Sequence, residues 1–155
     1  MFDIKKEMGI AEIKEILPHR PPFLFLNSFK YIDLEHGEGY FLVEIEHPIL
    51  KGHFPDTPIM PGVLIIEHAA QTAGVLKAFQ NKLEIKSDNL NVTNKGFLAS
   101  IKDFKFIKPI IPPVQLVTQI ELTRSVFDLT LFQAKTFVNN ELVAKGVINI
   151  YHDPK

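Results

Sequence analysis

The densest apolar stretch of the chain lies between Val63 and Phe79. There Val63, Leu64, Ile65, Ile66, Ala69, Ala70, Ala73, Val75, Leu76, Ala78 and Phe79 cover nearly every direction of a 3.6-residue repeat. A helix that is apolar all round must be buried. It follows a loop with prolines at 55, 58 and 61 between Gly52 and Gly62. Pro61 suits the first helical position, where its missing N–H would be unpaired anyway, and Met60 before it is held extended. The pattern predicts one long helix from about Pro61 to about Gln80.

On the N-terminal side, Ile10, Ile13 and Ile16/Leu17 fall at spacings of three and four, a short amphipathic helix stopped by Pro18. A mostly apolar run from Phe23 to Ile32 reads as a strand, His36-Gly37 as a turn, and Tyr40 to Glu46 as a second strand of a hairpin. Residues 81–95 are a polar connection, expected to move and a candidate gate. From Phe97 onward about four strands follow: one holding Phe104 and Phe106, then Val114–Leu122, Val126–Val138 and Leu142–Tyr151. Asn139-Asn140 marks a tight hairpin, because Asn tolerates positive φ. Strands grouped on both sides of one helix argue for an α+β fold with an antiparallel sheet. One flat sheet covers one side of a helix only, so the sheet is expected to curl and a second chain to complete the cover.

Composition narrows the picture. At 155 residues, 46% hydrophobic and a formal charge of -1, the chain fits a single domain over residues 1–155, with no global charge suited to nucleic acid. The absence of cysteine removes thiolate chemistry and Cys-ligated zinc, and suits the cytoplasm. Glu67, His68, Gln71 and Thr72 interrupt the longest apolar run, so no membrane span is expected.

Those same interruptions hold the candidate chemistry. Glu67 and Gln71 are four apart and share a face of the predicted helix. A carboxylate there is costly unless it is neutralised, paired or used. His53 precedes it on a loop stiff enough to hold an imidazole in place. His19 and Arg20 stand in a stiff turn and are compatible with ordinary surface roles or with ligand contact. His68 is adjacent to Glu67, and metal ligands on one helix face need separations of three or four, so no metal is expected and a packed or interface histidine is.

The segments Leu17-Pro18-His19-Arg20-x-Pro22-Phe23-Leu24 and Gly52-His53-Phe54-Pro55-x-x-Pro58-x-Met60-Pro61-Gly62-Val63-Leu64-x-x-Glu67-x-x-Ala70-Gln71 resemble the 3-hydroxyacyl-[acyl-carrier-protein] dehydratases of the FabZ type. The resemblance implies a hot-dog fold, in which a curved antiparallel sheet wraps one long central helix. It also implies no cofactor, an acyl carrier protein as partner, and a homodimer with shared sites, in a trimer of dimers. The catalytic His of one subunit would meet the Glu of the other; by position these are His53 and Glu67. Glu at 67, where FabA-type relatives carry Asp, points to dehydration without isomerisation. The chain departs from the family pattern at Asn27-Ser28, His68, Phe97 and Ile111-Pro112-Pro113-Val114.

Dehydrating a 3-hydroxyacyl thioester needs a base at C2, donors for the thioester oxygen and an acid for the departing hydroxyl. An imidazole suits the base, and a carboxylic acid kept protonated by apolar surroundings suits the acid, giving His53 and Glu67 these roles; the opposite assignment stays open on sequence alone. Gly62 and Val63, in the first helical turn, offer unpaired N–H groups for the oxyanion. For Gly62 close packing against the sheet is an equal reason. Gln71 is placed to orient the carboxyl group or to bond backbone. Phe23, Phe25, Phe54 and Phe97 are candidates to line an acyl tunnel. Arg20, Lys102, Lys105 and Lys108 are candidates to dock an acidic carrier protein. The rival readings are a hot-dog thioesterase and a non-catalytic acyl-binding scaffold.

Overall fold

Alternation in the sequence becomes two faces of a sheet most plainly at residues 129–138, where Thr130, Phe132, Ala134 and Thr136 are buried and Gln133 and Lys135 are exposed. The computed structural model describes residues 7–85 and 95–153. In chain order its elements are β1 (Glu7–Met8), α1 (Ile10–Ile16), β2 (Ser28–Tyr31), β3 (His36–Val43), a 3-10 turn (Pro48–Gly52), α2 (Gly62–Ile85), β4 (Gly96–Phe106), β5 (Val114–Val126), β6 (Leu129–Val138) and β7 (Glu141–His152). The strands form one antiparallel sheet in the order β1-β2-β3-β5-β6-β7-β4. Because α2 packs against every strand from β2 to β7, the sheet bends around it without closing. This is the hot-dog arrangement.

The core divides along α2. Ala69, Ala73, Val75 and Leu76 are fully buried and meet Phe132, Ile148 and Ile150 of the sheet, with Ile13 and Leu17 closing that region from the side of α1. A second cluster lies near the start of the helix, where Ile65 packs with Phe25, Phe41, Leu50, Met60, Ile110 and Leu116. The helix is less buried than its all-round apolar sequence predicts. Val63 is 72% exposed, and Glu67, Ala70, Gly74, Lys77 and Ala78, at helical spacing from it, are half-buried. This stripe is the side that the sheet does not reach.

Several sequence expectations need correction. The run Phe23–Ile32 is a strand only at Ser28–Tyr31; Leu24, Phe25 and Leu26 are buried in an irregular segment against α2. His36-Gly37 begins β3, and the turn lies before it, where Asp33 Oδ1 accepts from the Glu35 and His36 N–H groups at 2.8 Å. Glu44–Glu46 fall outside β3, and α2 continues past Gln80 to Ile85. The run Val126–Val138 is broken at Phe127-Asp128, with Phe127 at φ 55° and wholly exposed. The Asn139-Asn140 turn forms as expected, at φ 50° and 63°. Of the expected polar connection 81–95, residues 86–94 lie outside the described residues.

Candidate active site

The proline-marked loop is closed on itself by backbone bonds. His53 N–H donates to Leu50 O at 3.0 Å and Ile59 N–H to His53 O at 2.8 Å, while Phe54 and Thr57 exchange bonds at 3.1 Å. Met60 N–H ties the loop to Ile110 O at 2.9 Å. Within this frame the His53 side chain places Nδ1 2.8 Å from Ile59 O. A carbonyl can only accept, so Nδ1 carries a hydrogen, and in the neutral ring the lone pair is on Nε2. The half-buried ring is stacked against Phe54, with centroids 4.3 Å apart. The loop therefore fixes both the position and the tautomer of a potential base.

Glu67 lies in the second turn of α2, its side chain 20% exposed, at the border of the core rather than inside it. Gln71 Nε2 donates to Glu67 Oε1 at 2.9 Å. The same amide donates to Phe23 O at 3.1 Å, and Gln71 Oε1 accepts from Phe25 N–H at 2.8 Å. Gln71 thus bonds to both kinds of group the sequence left open, the Glu67 carboxyl group and the backbone. His68 adds a bond from the fully buried side, Nδ1 to Phe25 O at 2.5 Å. Burial pushes its pKa down to about 4, partly offset by its backbone contacts at Phe25 and Gly39, so the ring is neutral. It is the packed histidine expected.

A cleft of about 310 Å³ opens on the stripe of α2 that the sheet leaves uncovered. Glu67, Gln71, His19, Phe23 and Phe97 line it, and it extends along the helix to Lys77 and Lys82, about 22 Å at 1.5 Å per residue. His152 lines it as well; burial, then the positive charge of Lys77, lower its pKa to about 4. Of the tunnel candidates, Phe23 and Phe97 face this cleft, Phe25 is sealed in the core, and Phe54 stays beside His53. His53 does not line the cleft. Within one chain the two candidate catalytic groups therefore belong to different surfaces.

At the start of α2 the N–H groups of Gly62 and Val63 have no hydrogen-bond acceptor among the described residues. A Cβ on Gly62 would lie 3.0 Å from the Phe106 ring, so close packing is one reason for glycine here. The docking candidates differ in their freedom. The Arg20 guanidinium donates to the carbonyls of Lys14, Leu17 and His19 at 2.7–2.9 Å and so closes the C-terminus of α1. Lys108 pairs with Glu141. Lys102 and Lys105 are exposed, and Lys105 stands directly opposite Lys145, itself opposite Lys135, in a row across three strands. No group of three or more His, Cys, Asp or Glu placed to hold a metal ion occurs among the described residues.

The sequence left His19 ambiguous, and the structure brings it to the carboxylate: His19 Nε2 is 3.5 Å from Glu67 Oε1. The Pro18-His19-Arg20-Pro21 turn signalled a stiff mount but not what it was mounted against. Residues 17–147 match the FabA-like domain family. The chain is 38% identical over 140 residues to the 3-hydroxyacyl-[acyl-carrier-protein] dehydratase FabZ of Sulfurovum sp. (strain NBC37-1), covering 89% of this chain and 92% of that protein. It is 40% identical over 150 residues to the FabZ of Lawsonia intracellularis (strain PHE/MN1-00), covering 90% and 89%. The chain belongs to the FabZ-type dehydratases. The fold of this FabZ-type chain is shared with the dehydratase heterocomplex ApeI:P from Xenorhabdus doucetiae, at a TM-score of 0.77 and 20% identity over 92% of this chain and 91% of that one. No described helix of this FabZ-type chain is long and apolar enough to cross a membrane.

Proposed function

We propose that this chain removes water from 3-hydroxyacyl thioesters of acyl carrier protein, forming the trans-2-enoyl product, with His53 as base and Glu67 as acid. Membership of the hydro-lyase family carries the reaction class. The observation that carries the residue assignment is the pairing of a fixed His53 tautomer with a Glu67 carboxyl group held by Gln71 beside an open cleft. His53 Nε2 takes the C2 proton. The thioester oxygen gathers charge against the free N–H groups of Gly62 and Val63, where the helix dipole favours it. The C3–O bond then breaks as Glu67 gives its proton to the hydroxyl, and water leaves.

Because His53 is absent from the cleft of its own chain, the site is completed by a second copy, His53 of one subunit serving Glu67 of the other. The edge of β4, which pairs with no further strand among the described residues, supports such an assembly. It is an 11-residue strand at the end of the sheet, with Phe97, Ile101 and Phe106 about half exposed. A trimer of dimers is the assembly we expect. The lysine row led by Lys105, together with Lys102, is the docking surface for an acidic carrier. Three like charges placed directly opposite one another repel, a cost that the fold itself does not require. A cytoplasmic location suits the cysteine-free sequence.

The test uses 3-hydroxybutyryl carrier protein and mass spectrometry of the acyl group. Wild type removes one water, and His53→Ala and Glu67→Gln each lower turnover by about 100-fold or more while the oligomer persists. Unfolding and reassembling the two variants together returns about a quarter of wild-type activity by random pairing, since only mixed dimers hold one intact site. Hybrids as inactive as their parents would place both groups in one chain and overturn the shared site.

A further inference from the structure

The two oxygens of Glu67 have different surroundings. Oε1 accepts from Gln71 Nε2 at 2.9 Å and faces His19 Nε2 at 3.5 Å, whereas Oε2 has no hydrogen bond among the described residues. His19 Nδ1 is sealed from solvent and has no hydrogen-bond partner. An orphaned buried N–H is rarer and costlier than a bare lone pair, so the ring hydrogen belongs on Nε2, the nitrogen that faces the carboxyl group. The ring is held where it stands. Phe23 stacks on it at a centroid distance of 6.5 Å, Pro18 and Pro21 limit the turn, and Arg20 binds the His19 carbonyl at 2.7 Å. A separation of 3.5 Å is longer than a formed hydrogen bond, and catalytic contacts are often long before substrate closes the site.

We propose that His19 is a positioning residue for Glu67: its Nε2–H and the Gln71 amide together occupy Oε1, leaving Oε2 as the oxygen that carries and delivers the proton. This rests on the dehydratase reading above. In the step concerned, the Oε2–H proton passes to the 3-hydroxyl as the C3–O bond breaks and water departs. The electron pair of the C2–H bond becomes the C2=C3 π bond, the C2 proton goes to His53, and Glu67 is left as carboxylate. A carboxyl group free to rotate would present either oxygen and spend part of its time with the proton turned from the substrate. His19 removes that freedom from a part of the chain remote in sequence from α2.

The experiment compares His19→Leu and His19→Gln in the full chain. Leu keeps apolar bulk and removes the donor; Gln offers an amide N–H at a similar reach. With 3-hydroxybutyryl carrier protein, the Leu variant is expected to lose about tenfold in kcat with KM unchanged within about twofold, the loss of one hydrogen bond to the reacting group. The Gln variant is expected to stay within about threefold of wild type in kcat. Melting temperature and light scattering confirm that both variants assemble. A Leu variant with wild-type kcat, or Leu and Gln variants that fall equally, would overturn the role of His19. Activity retained by Glu67→Gln would instead overturn the dehydratase assignment of Glu67 itself, so the two failures are separate.

Discussion

His68 and Glu67 are neighbours on α2, yet one residue of helical rotation takes the side chain from a fully buried site to the wall of an open cleft. That difference has a measurable consequence. Burial holds His68 at about 4, against 6.5 in the unfolded chain, so as pH falls the unfolded chain binds this proton first. The neutral ring contributes its full stability above about pH 6.5 and loses it progressively between about 6.5 and 4. Between pH 7 and 5 wild type should lose roughly 2 kcal/mol more than His68→Leu, measured by urea unfolding at both pH values. His152 titrates over the same window, but it is present in both proteins and cancels in the comparison. At this scale the sequence singled out His53 and Glu67 as candidates because both sit in one contiguous motif. The contact between His19 and Glu67 was illegible, because it is created by the irregular 23–26 segment that brings the Pro18–Pro22 turn onto α2.

Glycine decides how closely α2 lies on the sheet. A Cβ built on Gly39 of β3 would lie 2.1 Å from Thr72 Oγ1 and 2.8 Å from a Leu26 methyl group, too close for any real contact. Thr72 is itself fixed by donating to His68 O at 2.8 Å. Gly39→Ala should therefore destabilise by about 1–3 kcal/mol, and Thr72→Ala in the same chain should recover part of that loss, a non-additivity that thermal melts of the four proteins would resolve. The same packing explains which elements could be read. Strand β6 and residues 115–121 of β5 alternate because one face meets α2 and the other water. The Phe23–Leu26 segment looked like a strand because it is apolar, but its backbone is satisfied by the side chains of Gln71 and His68 instead of a neighbouring strand. Gly37 looked like turn punctuation. Its actual task is to admit the Phe29 ring, which a Cβ would approach to 2.5 Å. Phe127, at positive φ without Gly or Asn chemistry, gave no signal of the turn it occupies.

For the whole molecule, the proposed shared site predicts that activity depends on concentration. In a dilution series, turnover per chain should fall together with the molar mass from light scattering; a fully active monomer would contradict the shared site. The lysine row makes a second prediction. Lys105→Glu combined with Lys145→Glu should raise KM for acyl carrier protein about tenfold at low salt, with KM for a small-molecule thioester unchanged. Added salt should produce the same selective rise in wild type. The overall architecture was readable because a helix too apolar for one flat sheet demands a sheet that wraps around it. The uncovered stripe was not readable residue by residue, since only the curvature of the sheet decides which side is left open.

The edge of β4 carries a further implication for handling the protein. Among the described residues the outer edge of β4 pairs with no strand and is flanked by half-exposed aromatic and aliphatic side chains, which is a template for adding strands from any unfolded chain. In the proposed dimer, assembly and protection from aggregation are one event. Conditions that dilute the subunits apart should seed precipitation as well as silence catalysis, and a ligand that tightens the subunit contact should act as a solubiliser.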